Sequence, residues 1–315
     1  MSFTADRPCP ACGGHLREWR SVPCSEPALG RLTIALRRCE RCGSAVTDGD
    51  LPPELHDTGA YRPGVPRLHR AVTPLLRAFD RQRLALLKER VAPGATLLDV
   101  GAGRGRFVAA AAAAGYRASG IEPSQRGVDA ARALGAFVRR AGVQDAEVTA
   151  GSLDAVTLWH VLEHLEEPGA AIARIGSWMA PGGTLLVGVP NLASLQARIG
   201  GERWYHLDVP RHRTHFTPRG LSALLNAHGL TVLRIHHVLL EHNPFGLWQS
   251  SVNRVSTTPS YLYNLLKRNA PWRSPDLAIT LAALPLLPAA GLVELSAGMR
   301  GRGGTIAVLA TRTAR

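Results

Sequence analysis

The chain has 315 residues, 45% of them hydrophobic and 19% charged, with a formal net charge of +13. So much apolar material excludes a disordered chain, and the length points to one main domain with an accessory module. The basic excess is mostly arginine, scattered without a run of five like charges; it is compatible with RNA, anionic lipid or a phosphorylated substrate and selects none of them.

The chain opens with "MSFTADRPCPACGG", in which no apolar stretch follows a basic start, so a secretory leader is not expected and the protein is placed in the cytoplasm. Four of the five cysteines form two C-x-x-C pairs, Cys9 with Cys12 and, well downstream, Cys39 with Cys42. A glycine after each pair lets backbone amides turn toward the sulfurs. In a reducing compartment this spacing fits a structural, tetrahedral Zn2+ site better than disulfides. Cys24, between the pairs, is left as a free thiol. The zinc ribbon so formed is expected to span residues 1–48 and to give way to a polar, proline-bearing connection, "TDGDLPPELHD".

Residues 49–90 read as a linker and covering helices. From Leu68 to Leu87 apolar residues recur at three- and four-residue steps, which predicts helix, with Pro74 breaking or opening a segment. A regular alternation begins at residue 91: strand 96–102, alanine-rich helix 106–115, strand 117–123, helix 124–135, short strand 136–142, strand 153–161, helix 168–180 and strand 183–191. Strands alternating with helices predict right-handed βαβ crossovers in an α/β, Rossmann-like doubly wound sheet with helices on both faces. Ligands of such a sheet sit at the carboxyl ends of its strands.

The loop after the first of these strands, "LLDVGAGRGRF", narrows the ligand. No lysine followed by serine or threonine closes it, which excludes a nucleoside-triphosphate loop. A dinucleotide fingerprint needs its third glycine at position 106, where Arg106 stands; the glycine falls at Gly105 instead. Asp99 would also repel a pyrophosphate. S-adenosylmethionine carries no phosphate, a positive sulfonium and an ammonium, so an acid followed by glycines suits it.

"DVGAGRG", Asp99 to Gly105, resembles the first motif of class I S-adenosylmethionine-dependent methyltransferases, and the resemblance runs from about residue 91 to 238. It implies a seven-stranded sheet and a cofactor site built from Asp99, Gly101, Ala102, Gly103 and Gly105. In "GIEPS", Glu122 with Pro123 ends the second strand and resembles the acid that takes the two ribose hydroxyls, contacts worth about 1.5–3 kcal/mol each. Asp145 in "VQDAE" stands where the family often has an acid near the adenine amine; a plain loop aspartate is the alternative.

"SLDAVTLWHVLEHLEEP" resembles the branch that includes ubiquinone-biosynthesis O-methyltransferases, in which this strand and loop border cofactor and acceptor. The sequence has "SLD" where "SFD" is more usual. The ribbon in front is absent from the ubiquinone enzymes and resembles that of uncharacterised bacterial members, so it says nothing about quinone substrates. Methyl transfer needs alignment and, for a hydroxyl acceptor, a base. His164 is the best-placed base by family position, with His160 lining the cofactor pocket; the alternative is that His164 satisfies a loop carbonyl. Relatives hold a divalent cation with an acidic-and-histidine cluster here, but His160 replaces its first acid.

Downstream, "GERWYHLDVPRHRTHFTPRGL" gathers His206, Asp208, His212 and His215 in one loop expected over the substrate, with His212 and His215 as further candidates for substrate or base roles. Thr217 and Pro218 read as the cap and first residue of a helix. Strands are expected at 230–238 and 303–311. Between them, residues 239–302 form an insertion in the 91–315 methyltransferase domain, with the apolar run 277–293 inside it. This run, which holds two prolines, is at the lower limit of length for a membrane span, and a single crossing would separate two neighbouring strands. It reads as a cap, a hairpin resting on the inner membrane surface, or a buried lid. The sequence therefore predicts an O-methyltransferase for a small or lipid-linked acceptor, with peripheral membrane contact left open. Methylation of ribosomal or transfer RNA is the second reading, disfavoured because "WHVLEH" lacks an asparagine-proline-proline-aromatic pattern. A non-catalytic zinc-ribbon binding protein is the third.

Overall fold

The computed structural model describes residues 7–25, 32–49, 69–266, 270, 272 and 274–313. The cysteine turns carry β1 (Leu16–Pro23), β2 (Thr33–Cys39) and β3 (Ala45–Thr47). Helix α1 (His69–Lys88) leads into β4 (Thr96–Val100), α2 (Arg106–Ala113), β5 (Arg117–Glu122), α3 (Gln125–Ala133), β6 (Val138–Arg140), β7 (Leu153–Trp159), α4 (Pro168–Trp178) and β8 (Met179–Pro190). Then come α5 (Leu195–Gly200), β9 (Thr214–His215), α6 (Pro218–Ala227) and β10 (Leu230–His236). Helices α7 (Asn243–Asn253), α8 (Tyr261–Leu266), α9 (Pro275–Ala283) and α10 (Leu287–Met299) precede β11 (Thr305–Arg312).

The described fold packs as two compact units. One comprises Pro74–Val189, Leu221–Ile235 and Ala307–Arg315. It carries a seven-stranded sheet in the order β10-β11-β8-β7-β4-β5-β6, in which β4 runs parallel to β5 and β7, β5 to β6, and β7 to β8. Chain order reverses between β4 and β7, so the crevice at the carboxyl ends opens beside the loop after β4. Parallel strands covered on both faces read as apolar runs, and Ala155, Val156 and Leu158 of β7 are fully buried. Helix α1 runs through Pro74, which neither breaks nor opens it. A proline one turn into a helix forfeits the bond to the carbonyl four residues back, and the packing of a 20-residue helix absorbs that loss. Residues 50–68, including Leu68 and most of the expected linker, lie outside the described residues.

The other unit comprises Met1–Thr73, Pro190–Gly220 and His236–Ile306. Its sheet runs β1-β2-β3-β9, and the last strand is contributed from far along the chain: Ala45 pairs with His215 and Val46 with Thr214. Ribbon residues Val22, Leu36 and Ala45 share one core with Leu192, Ala197, Trp204, Leu207 and Val209. Fully burying a large aliphatic side chain contributes about 1.5–3 kcal/mol, so this core gives a small ribbon a foundation that its own strands could not supply. Thr217 caps α6 by accepting from Gly220 N at 3.0 Å, and its hydroxyl donates to the Cys42 carbonyl at 2.7 Å.

From Pro275 to Met299 the chain is one 25-residue helical run, with a 3-10 turn over Leu284–Leu286. It is neither the hairpin nor the buried lid read from the sequence. The tight turn accommodates the prolines without reversing the chain, and only 11% of its most apolar 18-residue window is buried. Glu294 anchors the end of this run: its Oε1 accepts from Gly304 N at 2.5 Å, and burial pushes its carboxyl up to about 7, against the pull of the Gly304 and Gln196 hydrogen bonds. Because the folded value lies above the ordinary 4.5, folding favours the protonated form; this group's support falls as pH rises from about 4.5 to about 7 and stays lost above. Glu294→Gln is expected to stabilise the protein at pH 8, by up to about 3 kcal/mol, and to change little at pH 4.5. Denaturant titrations at both pH values check this; an equal gain at both would rule out titration as the cause.

Candidate active site and cysteine cluster

In the larger sheet, the loop after β4 turns through three glycines at positive φ, Gly101, Gly103 and Gly105. Two of them are close approaches: a Cβ on Gly101 would overlap the Val161 side chain, and one on Gly105 would lie 2.6 Å from the Ala131 Cβ. Gly103 has nothing within 4 Å of its Cβ position, so the middle of the loop presents bare backbone to open space. Ala102, between them, is buried and donates its amide to Ile121.

Glu122 closes β5 beside this loop. Its Oε2 accepts from Gly103 N at 2.9 Å and its Oε1 from Ser124 N at 3.0 Å. Gly127 of α3 leaves the room it needs, since a Cβ there would stand 2.7 Å from the Glu122 Cγ. An ionised carboxylate has about four acceptor positions, so two remain for a ligand's hydroxyls. Pro123 follows in the turn and takes the Arg140 Nε on its carbonyl. Asp145 is exposed in the segment after β6, its amide on the Gly142 carbonyl at 3.3 Å. These residues stand at the carboxyl ends of β4, β5 and β6, and they fit the cofactor expected from the sequence: an open glycine backbone and an oriented carboxylate with spare acceptor capacity.

Asp99 is different in kind. Its side chain is buried; Oδ1 accepts from Thr157 Oγ1 at 2.5 Å and pairs with Arg83 Nη2 at 3.2 Å. Burial pushes its carboxyl above the ordinary range, opposed by the Arg83 charge and the Thr157 hydrogen bond. The Arg83 guanidinium lies 3.9 Å from the Phe107 ring centre and 4.7 Å from that of Trp159. Asp80, also buried, holds Arg106 at 2.7 Å. Arg83, Asp80 and Thr157 were not read from the sequence as parts of the site. The one signal for them was their place: polar residues on the inward faces of a helix and a strand.

At the end of β7, His160 takes a positive φ of 54°, unusual for a residue with a side chain. Its amide donates to Gly188 at 2.9 Å, and its Nδ1 lies 3.1 Å from Oε1 of Glu163, which is 1% exposed. His164 is half-buried in the 3-10 turn that follows.

His212 and His215 lie in the ribbon-bearing unit. His215 is a buried residue of β9, its Nε2 3.0 Å from Thr47 Oγ1; His212 is also buried, its Nδ1 2.9 Å from the His206 carbonyl. The two rings are 6.3 Å apart. The segment expected to lie as a loop over substrate thus contributes a strand to the ribbon sheet, a placement that a two-residue strand cannot announce by periodicity.

The four cysteines converge. Cys9 and Cys42 sulfurs are 3.7 Å apart, Cys12 and Cys39 sulfurs 3.5 Å, and all four lie within 4.8 Å of one another. Tetrahedral Zn2+ with bonds of about 2.3 Å places sulfurs roughly 3.8 Å apart, so the cluster has the right size. Gly13 and Gly43, each at positive φ after the second cysteine of its pair, send their amides to the Cys9 and Cys39 carbonyls. Cys24 is buried outside the cluster, its thiol donating to the Val209 carbonyl at 3.6 Å.

A family model described as a methyltransferase domain matches residues 73–235, more than half of the chain. The chain belongs to the methyltransferase family. It is an enzyme whose methyl donor is S-adenosylmethionine. Among curated relatives, the ubiquinone biosynthesis O-methyltransferase of Xanthomonas campestris pv. campestris (strain B100) is 32% identical over 180 residues, 53% of this chain and 75% of the relative. An uncharacterized methyltransferase of Mycolicibacterium vanbaalenii is 32% identical over 138 residues, 38% of this chain and 51% of the relative. Among solved structures, a candidate sarcosine dimethylglycine methyltransferase from Galdieria sulphuraria matches with a TM-score of 0.50 at 14% identity, covering 84% of this chain and 92% of that one. A Haloferax volcanii methyltransferase candidate, solved with the Trm112 activator, also matches at 0.50, with 16% identity over 76% of this chain and 91% of that one. These two share the fold.

If Glu122 receives two ribose hydroxyls, as the sequence leads one to expect, at about 1.5–3 kcal/mol each, Glu122→Ala is expected in calorimetric titration to reduce S-adenosylmethionine affinity by roughly 100-fold or more, with the thermal midpoint little changed. Full-strength binding by this variant would overturn the ribose assignment.

Proposed function

We propose that the methyltransferase transfers its methyl group to oxygen on a small or lipid-linked acceptor. The observation that carries this reading is the end of β7, where His160, Glu163 and His164 follow one another at the carboxyl edge of the sheet. Bound S-adenosylmethionine supplies a methyl carbon made electrophilic by its own sulfonium. The loop Gly101 to Gly105 would hold the amino-acid end through its backbone, Glu122 the ribose hydroxyls and Asp145 the adenine amine. Asp99 acts from below: held by Arg83 and Thr157, it braces the loop. Glu163 fixes the His160 ring, which lines the cofactor pocket. His164 takes the proton of the acceptor hydroxyl as it attacks. His212 and His215, engaged with the His206 carbonyl and Thr47, order the ribbon-bearing segment in which they stand.

The named activity of the Xanthomonas relative favours oxygen as the acceptor atom. The helical run Pro275–Met299 favours a lipid-linked one: Leu286, Leu292 and Met299 are 62%, 70% and 70% exposed. Its length would suffice to cross a bilayer, yet β10 before it and β11 after it are neighbours in one sheet, which a single crossing would separate. The run is proposed to lie on the membrane surface with its leucines in the interface.

The test is turnover with soluble phenolic alcohols and with lipid-carried alcohols in vesicles. His164→Ala is expected to lower kcat roughly 100-fold or more with S-adenosylmethionine affinity unchanged. Leu286→Ser with Leu292→Ser is expected to impair only the vesicle-borne reaction. Unaltered kcat in the His164 variant would remove it as base.

The cysteine cluster is proposed to hold one structural Zn2+. Metal analysis is expected to find about one Zn2+ per chain, none in Cys39→Ser, and S-adenosylmethionine binding still measurable in that variant. Metal content unchanged by the substitution would refute the ribbon as the site.

A further inference from the structure

One face of the ribbon carries a concentration of positive charge that methyl transfer leaves without a role. A cavity of about 380 Å³, wholly inside the ribbon-bearing unit, is lined by Arg20, Arg38, Arg198 and Arg302. They come from four places in the chain: β1, β2, α5 and the turn between α10 and β11. Among the described residues no aspartate or glutamate lines the cavity.

The cations are held in place. The Arg20 guanidinium carbon stands 3.6 Å from the Trp19 ring centre and that of Arg38 stands 5.1 Å from it, so both use the aromatic face. Arg38 is fixed further by its Nε, which donates to the Gly43 carbonyl of the second cysteine turn at 3.1 Å. Arg302 has its backbone pinned on both sides: its amide donates to Ala297 at 2.8 Å and its carbonyl accepts from Leu195 at 3.0 Å. Trp204 and Leu207 give the cavity an apolar wall.

Gathering like charges is costly unless something opposes them. Burial holds the Arg20 guanidinium below its ordinary value, with Glu202 opposing that shift and the Arg38 charge adding to it. Four arginines against one neighbouring glutamate leave the cavity with a large positive excess. A single carboxylate would satisfy one guanidinium fork. A polyanion with several acceptor oxygens would satisfy more, and arginine forks match phosphate geometry bidentately.

We propose that this cavity binds the phosphate or diphosphate group of a phosphorylated ligand. The concave shape suits a headgroup, since a nucleic-acid backbone is met by an extended basic stripe. The site draws on no residue of the cofactor pocket and stands independently of the methyl acceptor's identity.

Inorganic pyrophosphate, titrated calorimetrically into the full chain, is the direct probe, with S-adenosylmethionine binding as the control that each variant is folded. Binding is expected to weaken with added salt. Arg198→Ala and Arg302→Ala, at exposed positions, are each expected to weaken it roughly ten-fold. Glu202→Gln is expected to tighten it, a gain that no loss of structure would produce. Vesicles containing phosphatidic acid that displace pyrophosphate would identify the source as a lipid headgroup; vesicles that do not displace it would identify a soluble phosphorylated ligand. No heat at millimolar pyrophosphate, affinity indifferent to both arginine replacements, or binding of single-stranded RNA without binding of pyrophosphate would each overturn the proposal.

Discussion

Thr217 ties the second cysteine turn to a segment from far along the chain. Its hydroxyl donates to the Cys42 carbonyl and accepts from Gly220, while its amide donates to Ser44 Oγ at 3.1 Å. A helix needs its first amides satisfied, and a cysteine turn needs its carbonyls satisfied; one residue does both. Gly220 must be glycine for this arrangement, because a Cβ there would overlap Ser44 Oγ. The cap also sets what precedes it: with Thr217 fixed, residues 214–215 run beside β3, and the Trp204, Leu207 and Val209 side chains turn into the ribbon core. The ribbon is therefore integral to the chain between β8 and α6, even though Ser44 and Thr217 stand far apart in sequence.

Asp99 and Glu122, acids on neighbouring strands, are set apart by their environments. Asp99 is sealed under the loop, neutralised by Arg83 and bonded to Thr157, where an ionised carboxylate without its partner would cost several kcal/mol. Glu122 stands at the rim, oriented by two amides and with acceptor capacity to spare. From sequence the two look alike: acids at the ends of consecutive strands. Burial separates them, and burial depends on α1, which brings Arg83 to Asp99 from the preceding element of the chain.

What was legible in the sequence was whatever has a period or a local signature. The strand and helix alternation from 96 to 191 emerged nearly at its expected bounds, apart from β6, which covers Val138–Arg140 rather than 136–142, and β8, which begins at Met179 rather than at 183. The glycine loop, the acid at Glu122, the paired cysteine turns and the Thr217–Pro218 helix start rest on local chemistry and stand where the motifs put them. What was not legible is tertiary. A two-residue strand, an arginine paired with an aspartate across a helix-sheet interface, and a proline tolerated inside α1 leave no periodic mark. The run at 277–293 shows the same limit. Composition told that it is apolar and proline-bearing, but not that Pro275–Met299 would form one helix with its leucines outward.

That helix and the arginine cavity are covalently and geometrically continuous. Arg302 lies just beyond α10, and its amide closes the helix end on Ala297 while Glu294, one turn earlier, takes the Gly304 amide. The strand that follows has no slack, since Gly303 and Gly304 have their Cβ positions filled by the His237 backbone and the Gln196 side chain. A shift of α10 along its axis would therefore move the Arg302 backbone with it. Two features that look separate in sequence, an apolar stretch and an isolated arginine, are rigidly coupled through one short turn. The apolar helix and the charge at its end are thereby held at a fixed spacing.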